Sequence, residues 1–222
     1  MRRGVIFDLD GTLVDTGYLH VVAWWEGFRG RRRDVLMVDI HGAIGRAERA
    51  LIDYLLPDVD DEEAQAISDA HAAAYKPRLD QVRPVPGAGE LLKALADRGL
   101  TVVVVTSAPK DEAEHLVGIT GAENAVEVLV HAGDVEKSKP HPEPVRQALD
   151  KSGIAADQAI MVGDSVWDAL AARAAKTGCV GVRSGGIDSE SLRDAGAEAV
   201  YKDCRDLLYH LEDSPLARLL DR

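Results

Sequence analysis

Two carboxylates, Asp8 and Asp10, stand two residues apart at the end of the apolar run 4–7. In an extended chain that spacing turns both side chains to one face of a sheet. Carboxylates held so close repel each other, and near neutral pH one keeps a proton unless a cation lies between them. Two uses follow: an oxygen site for a hard cation, and a nucleophile beside a general acid/base. Gly11 then lets the backbone turn sharply or approach a ligand closely. Taken alone, the stretch also reads as a strand ending in an acidic turn, because Asp and Gly are common turn formers.

Three more groups bear on the choice. Thr106 and Ser107 follow the β-branched run 102–105. They either cap the next helix or offer hydroxyl and N–H donors to a phosphoryl oxygen. Lys139 lies in Lys137-Ser138-Lys139-Pro140-His141-Pro142. It is either a solvated loop lysine or, stiffened by the prolines, a fixed point charge; Lys137 ranks second for that part. Asp164 and Asp168 stand four apart after the run 159–162. A helix starting at Ser165 places the second carboxylate one turn behind the first. Helix capping explains Asp164 and leaves Asp168 unexplained.

These groups need elements to carry them. The pattern predicts strands at 4–7, 101–105, 126–130, 158–162, 179–182 and 199–201. It predicts helices at 88–98, 110–118, 142–152, 166–176, 189–195 and 205–211. Alternation of this kind specifies an α/β fold, a parallel sheet with helices on both faces. Ligands in such sheets sit at the carboxyl ends of the strands, where each of the four groups falls. Residues 16–82 differ: helices are predicted at 18–28, 47–56 and 60–79, with no alternating strand. The boundary Arg83-Pro84-Val85-Pro86-Gly87 closes this all-helical insertion.

The 222 residues suffice for a sizeable core, and 46% apolar with 29% charged content is that of a soluble globular chain. A net charge of −12 argues against a nucleic-acid or anionic-membrane partner. Any anionic substrate must therefore be met by local cations or a metal. Arg31-Arg32-Arg33 reads as a solvated turn. Of the two cysteines, Cys179 lies in an apolar strand-like run, so a buried free thiol is expected rather than a disulfide. No apolar run of about 18 residues and no signal-peptide pattern occurs, so a cytoplasmic location is expected.

The order and spelling of the pieces resemble the haloacid dehalogenase-like hydrolase superfamily. Asp8-Leu9-Asp10-Gly11-Thr12-Leu13-Val14-Asp15 matches its first motif and Val104-Val105-Thr106-Ser107 its second. Lys139-Pro140-His141-Pro142 matches the third, and Gly163-Asp164-Ser165-Val166-Trp167-Asp168 the fourth. The chain is similar to the subgroup of phosphoglycolate-phosphatase-like and β-phosphoglucomutase-like enzymes. The resemblance implies a Rossmann-like core of residues 1–15 and 83–222, and a small helical cap of residues 16–82 that chooses the substrate. It implies Asp8 as the nucleophile that forms an aspartyl-phosphate and Asp10 as general acid/base. It implies Mg2+ held by Asp8, the Asp10 backbone carbonyl and Asp164, with Asp168 in or near the second shell. Thr106, Ser107 and Lys139 would hold the phosphoryl oxygens. Glu143 departs from the Asp that many relatives carry and is expected only to cap a helix. Within the cap, the segment 41–46 with Gly45 and Arg46 is the expected specificity loop; His20, Trp24 and Arg49 are further candidates. The implied activity is a Mg2+-dependent phosphatase acting on a small phosphorylated metabolite. A sugar phosphomutase is the alternative, and a non-catalytic phosphate- or partner-binding protein a remote one. A phosphonate hydrolase is disfavoured, because the only lysine of the cap is Lys76, at its far end.

Overall fold

The β-branched and aliphatic runs pair into one parallel sheet, seen in a computed structural model that describes residues 2–220. Strand β1 (Gly4–Asp8) is followed by helices α1 (Gly17–Gly30), α2 (Met37–Ala43), α3 (Glu48–Leu55) and α4 (Asp61–Tyr75). Then come α5 (Ala88–Asp97), β2 (Thr101–Val105), α6 (Lys110–Ile119), β3 (Val126–Val130) and α7 (Glu143–Ser152). The chain continues through β4 (Ala159–Gly163), α8 (Val166–Ala175), β5 (Gly178–Val182), α9 (Ser189–Ala195), β6 (Ala199–Tyr201) and α10 (Cys204–Tyr209). The strand order is β3-β2-β1-β4-β5-β6, and every pairing is parallel.

The period-2 alternation of side chains splits β1 between two cores. Val5 and Phe7 pack with Leu91, Leu95, Leu116 and Leu207 on one face; Ile6 packs with Val145, Ala148, Ala169 and Ala172 on the other. Burying each large apolar side chain contributes about 1.5–3 kcal/mol, so β1 is held from both sides. The alanines of α8 let it lie close to the sheet. Between β1 and α5, Trp24, Phe28, Ile40, Ile52 and Ile67 form a third core that draws only on the helical insertion. No helix of the described residues is long and apolar enough to cross a membrane. Cys179 and Cys204 are free and buried.

Two sequence expectations need correction. Residues 37–43 form helix α2, so His41 and Gly42 belong to a helix and only 44–46 are loop. This short helix has no side-chain cap, and its weak periodicity hides it. The helix expected over 60–79 stops at Tyr75 and continues as a 3-10 turn over Lys76–Gln81. Pro77 there removes an N–H from the helical ladder. At the other end Asp60 accepts a bond from the Glu63 N–H at 2.8 Å. The arginine turn is exposed, as expected, and Arg31 and Arg33 both pair with Glu63 on α4.

Candidate active site

The strand order places β1 between β2 and β4, so the residues that end these three strands meet at one edge. Asp8 ends β1, Thr106 follows β2 and Asp164 follows β4. Neither Thr106 nor Asp164 caps a helix: Pro109 precedes α6 and Ser165 caps α8. Thr106 instead accepts the Ala108 N–H at its hydroxyl, 3.0 Å. Asp168 is the reciprocal partner of the Ser165 cap, which corrects the expectation that capping leaves it unexplained. Its Oδ2 accepts from the Ser165 N–H (3.1 Å) and hydroxyl (2.6 Å). Its Oδ1 accepts from Lys139 Nζ at 2.7 Å, and the same ammonium donates to Asp8 Oδ1 at 2.6 Å. Lys139 is 2% exposed, although it comes from a loop. Glu143 braces that loop by accepting from the Glu136 and Lys137 N–H groups at 2.7 and 3.2 Å. The Lys137 side chain is exposed. Thr12 donates to Asp164 Oδ1 at 2.6 Å. Gly185 lies so close to Asp164 that any Cβ there would collide with its carboxylate.

Asp8, Asp164 and Asp168 each bring an oxygen within 4.8 Å of the others. All three are buried, and one ammonium faces three carboxylates. Burial, with repulsion from Asp168, pushes Asp8 well above the usual carboxylate range, against the pull of Lys139. The same two causes push Asp164 up to about 7. Burial would strip the Lys139 proton, but Asp168 and Asp8 outweigh it and hold the ammonium above its ordinary value. This is a dry site with surplus negative charge and all-oxygen donors, which suits a hard divalent cation such as Mg2+. Asp8 and Asp164 are the residues that fit it best, because both oxygens of Asp168 are already bonded to Lys139 and Ser165.

Asp10 lies outside this acidic group. Its Oδ1 accepts from the Thr16 hydroxyl at 2.7 Å and stands 3.5 Å from His20 Nε2; its Oδ2 accepts from the Thr106 hydroxyl at 3.2 Å. Burial pushes Asp10 up, but the hydrogen bond and charge of His20 and the bonds from Thr16 and Thr106 outweigh it and leave Asp10 below its usual range.

A cleft of about 310 Å³ runs between the helical insertion and the sheet edge, lined by Asp8, Asp10, Ser107 and Lys139 on the sheet side. His20, Trp24, Gly45 and Arg46 line it from the insertion. The Arg46 guanidinium lies 3.8 Å over Trp167 and 4.3 Å over Tyr54. Gly45 has φ +97°, and a Cβ there would sit 3.0 Å from Ser165 Oγ. Arg49 is not brought to the cleft: it is exposed on α3 and pairs with Asp53, one turn on, and Asp61. His41 Nε2 donates to the Gly185 carbonyl at 2.7 Å and also lies outside the cleft.

Sequence reasoning missed Glu48, His71, Tyr75, Lys76 and Glu112, all of which line the cleft. One signal was available. His20 and Trp24 are spaced i, i+4 on α1, and His71 and Tyr75 are spaced i, i+4 on α4. In the structure these pairs interleave: Trp24 stacks on His71 and His20 on Tyr75, each at 3.9 Å between ring centroids.

Residues 5–182 match the family of haloacid dehalogenase-like hydrolases, and the chain belongs to that family. It is therefore an enzyme of a hydrolase family. It is 33% identical over 206 residues to the validoxylamine A 7'-phosphate phosphatase of Streptomyces hygroscopicus subsp. limoneus, covering 91% of this chain and 94% of that one. It is 34% identical over 221 residues to the phosphoglycolate phosphatase of Rhodospirillum rubrum, covering 91% and 88%. The crystal structure of a hydrolase from Pseudomonas syringae superposes with a TM-score of 0.90 at 37% identity, covering 96% of this chain and 99% of that one.

Proposed function

We propose that this chain is a Mg2+-dependent phosphomonoesterase acting on a small phosphorylated metabolite through an aspartyl-phosphate on Asp8. One observation carries the reading: a single buried ammonium, Lys139, bridges Asp8 and Asp168 at 2.6 and 2.7 Å, with Asp164 in the same group and Asp10 beside it on the cleft. The phosphatase names of the relatives support the reaction class. Phosphoryl transfer needs mostly positioning and neutralisation of charge, and these residues supply both.

The Asp8 carboxylate attacks phosphorus as the P–O bond to the alcohol breaks, the alkoxide leaving on the Asp10 side to take up a proton, while Lys139 and the Ser107 region hold phosphoryl oxygens. Thr106 orients Asp10 through its hydroxyl. In the arrangement seen, Asp10 is held as the carboxylate, the form that takes a proton from the water hydrolysing the acyl phosphate. To act first as an acid it needs a proton, and His20 at 3.5 Å is a neighbour able to carry one. Asp8, Asp164 and the Asp10 backbone carbonyl would hold Mg2+, which when bound neutralises charge on the phosphoryl oxygens. Residues 16–82 would form the cap that chooses the substrate.

The test is phosphate release across a panel of phosphorylated metabolites, with Mg2+ or chelator, in wild type and Asp8→Asn. Magnesium-dependent release that is lost in a folded Asp8→Asn variant is the expected result. Conversion of a sugar phosphate to its isomer, with no free phosphate, would instead identify a phosphomutase.

A further inference from the structure

The cleft beside Asp10 is where a leaving alcohol would depart, and its wall is built to hydrogen-bond. Among the described residues five side chains hold a buried polar atom without a partner. Three of them, Arg46 Nε, His71 Nδ1 and Tyr75 Oη, belong to residues that line this one cleft. Tyr75 is 3% exposed and His71 5%. An unpaired buried polar group is costly, so three together mark a place that a ligand completes.

The charges nearest Asp10 give this wall a sign. Beyond burial, Asp10 and Glu112 raise the Tyr75 phenol, and burial with the repulsion of Asp10 holds the Glu112 carboxyl above its usual range. Burial pushes the Tyr75 phenol up and His71 down, so the first remains a neutral O–H and the second a neutral ring. Glu48 Oε1 stands 3.7 Å from His71 Nδ1. Of the three cations that line the cleft, Lys139 is bonded to Asp8 and Asp168, Arg46 is stacked against Trp167 and Tyr54, and Lys76 is exposed. An alcohol bearing its own carboxylate near the ester oxygen would thus meet Asp10, Glu112 and Glu48. An alcohol bearing hydroxyls would donate to those carboxylates and satisfy Tyr75 and His71.

We infer that the leaving group is an uncharged polyhydroxylated alcohol, of the sugar or cyclitol class, hydrogen-bonded by Tyr75 Oη, His71 Nδ1 and the Glu112 carboxyl. Phosphate esters whose alcohol carries a carboxylate are then poor substrates. The inference rests on the phosphomonoesterase reading.

The experiment measures kcat/KM with Mg2+ for a hexose phosphate, an inositol phosphate, phosphoglycolate and p-nitrophenyl phosphate. Wild type, Tyr75→Phe and Glu112→Gln are compared. A like charge set against the two glutamates costs enough that the better polyol ester should exceed phosphoglycolate by about 10- to 100-fold. Glu112→Gln should narrow that ratio. Tyr75→Phe, which deletes one oxygen, should lower the polyol ester relative to p-nitrophenyl phosphate by about five- to tenfold. Ratios within one protein cancel any loss of folded material. Phosphoglycolate equal to or better than the polyol esters, or ratios unmoved by both variants, overturns the inference and leaves the phosphatase reading standing. No release from any ester, p-nitrophenyl phosphate included, by folded protein overturns both.

Discussion

Lys139→Met tests whether the buried ammonium is what allows three carboxylates to share one dry site. Methionine fills a similar volume without charge. Lys139 donates to Asp8 at 2.6 Å and to Asp168 at 2.7 Å, and all three side chains are at most 4% exposed. Removing one partner of a buried pair costs about 3–5 kcal/mol. In a chain of this size 1 kcal/mol shifts Tm by about 2–4 °C, so Tm should fall by roughly 6–20 °C without metal. The pH dependence has a definite sign. Asp8 and Asp164 already titrate above their unfolded value. A raised carboxyl stabilises the fold at low pH, and that stability is lost as pH rises through the folded pKa. Without Lys139 both carboxyls rise further, so the deficit against wild type should be larger at about pH 8 than at about pH 5. Adding Asp168→Asn removes one of the stranded charges and should recover part of the loss. Thermal melts of chelator-treated protein at both pH values measure all of this. A loss under about 1 kcal/mol, equal at both pH values, would refute the reasoning, because a wet and screened cluster behaves that way.

Other outcomes follow from the same geometry. Asp10→Asn should lower kcat by about 10²- to 10⁴-fold with the fold retained; an unchanged rate would remove Asp10 from proton transfer. Mg2+ at about 100 times its Kd should stabilise the protein by about 2.7 kcal/mol, more at high pH than low because protons compete for the carboxylates. Melts blind to Mg2+ at both pH values would remove the metal. Gly185→Ala should displace the Asp164 carboxylate and abolish the Mg2+-induced rise in Tm, since the added methyl group occupies the place of Asp164 Oδ2; a full rise would contradict the close approach.

The strand-end half of the candidate site was legible because it is written as local spelling. Strand ends carry Asp8, Thr106 and Asp164, and runs such as 101–105 leave little choice of structure. Even Lys139 could be named, since prolines flank its loop, although no pattern announced that Glu143 braces that loop. The substrate side was less legible. His71 and Tyr75 reach His20 and Trp24 across some fifty residues of sequence, and a contact of that kind leaves only an i, i+4 spacing on each helix. Arg49 failed for the opposite reason: a cation near Arg46 in sequence points elsewhere on α3 and finds Asp53. Helix α2 was missed because seven residues with no side-chain cap carry too little periodicity to read.

The strand order carries a consequence for synthesis of the protein. Strand β1 is made ahead of the rest of the sheet, and one of its two neighbours, β4, is made about 155 residues later. Until then the β1–β2 pair has an open edge of apolar backbone at Gly4–Phe7, the kind of edge that invites association between chains. The acidic group is likewise incomplete until Asp164 and Asp168 arrive. A growing chain therefore has an incomplete acidic group and a hazardous edge to shelter, and both conditions end at the same stretch, residues 159–168.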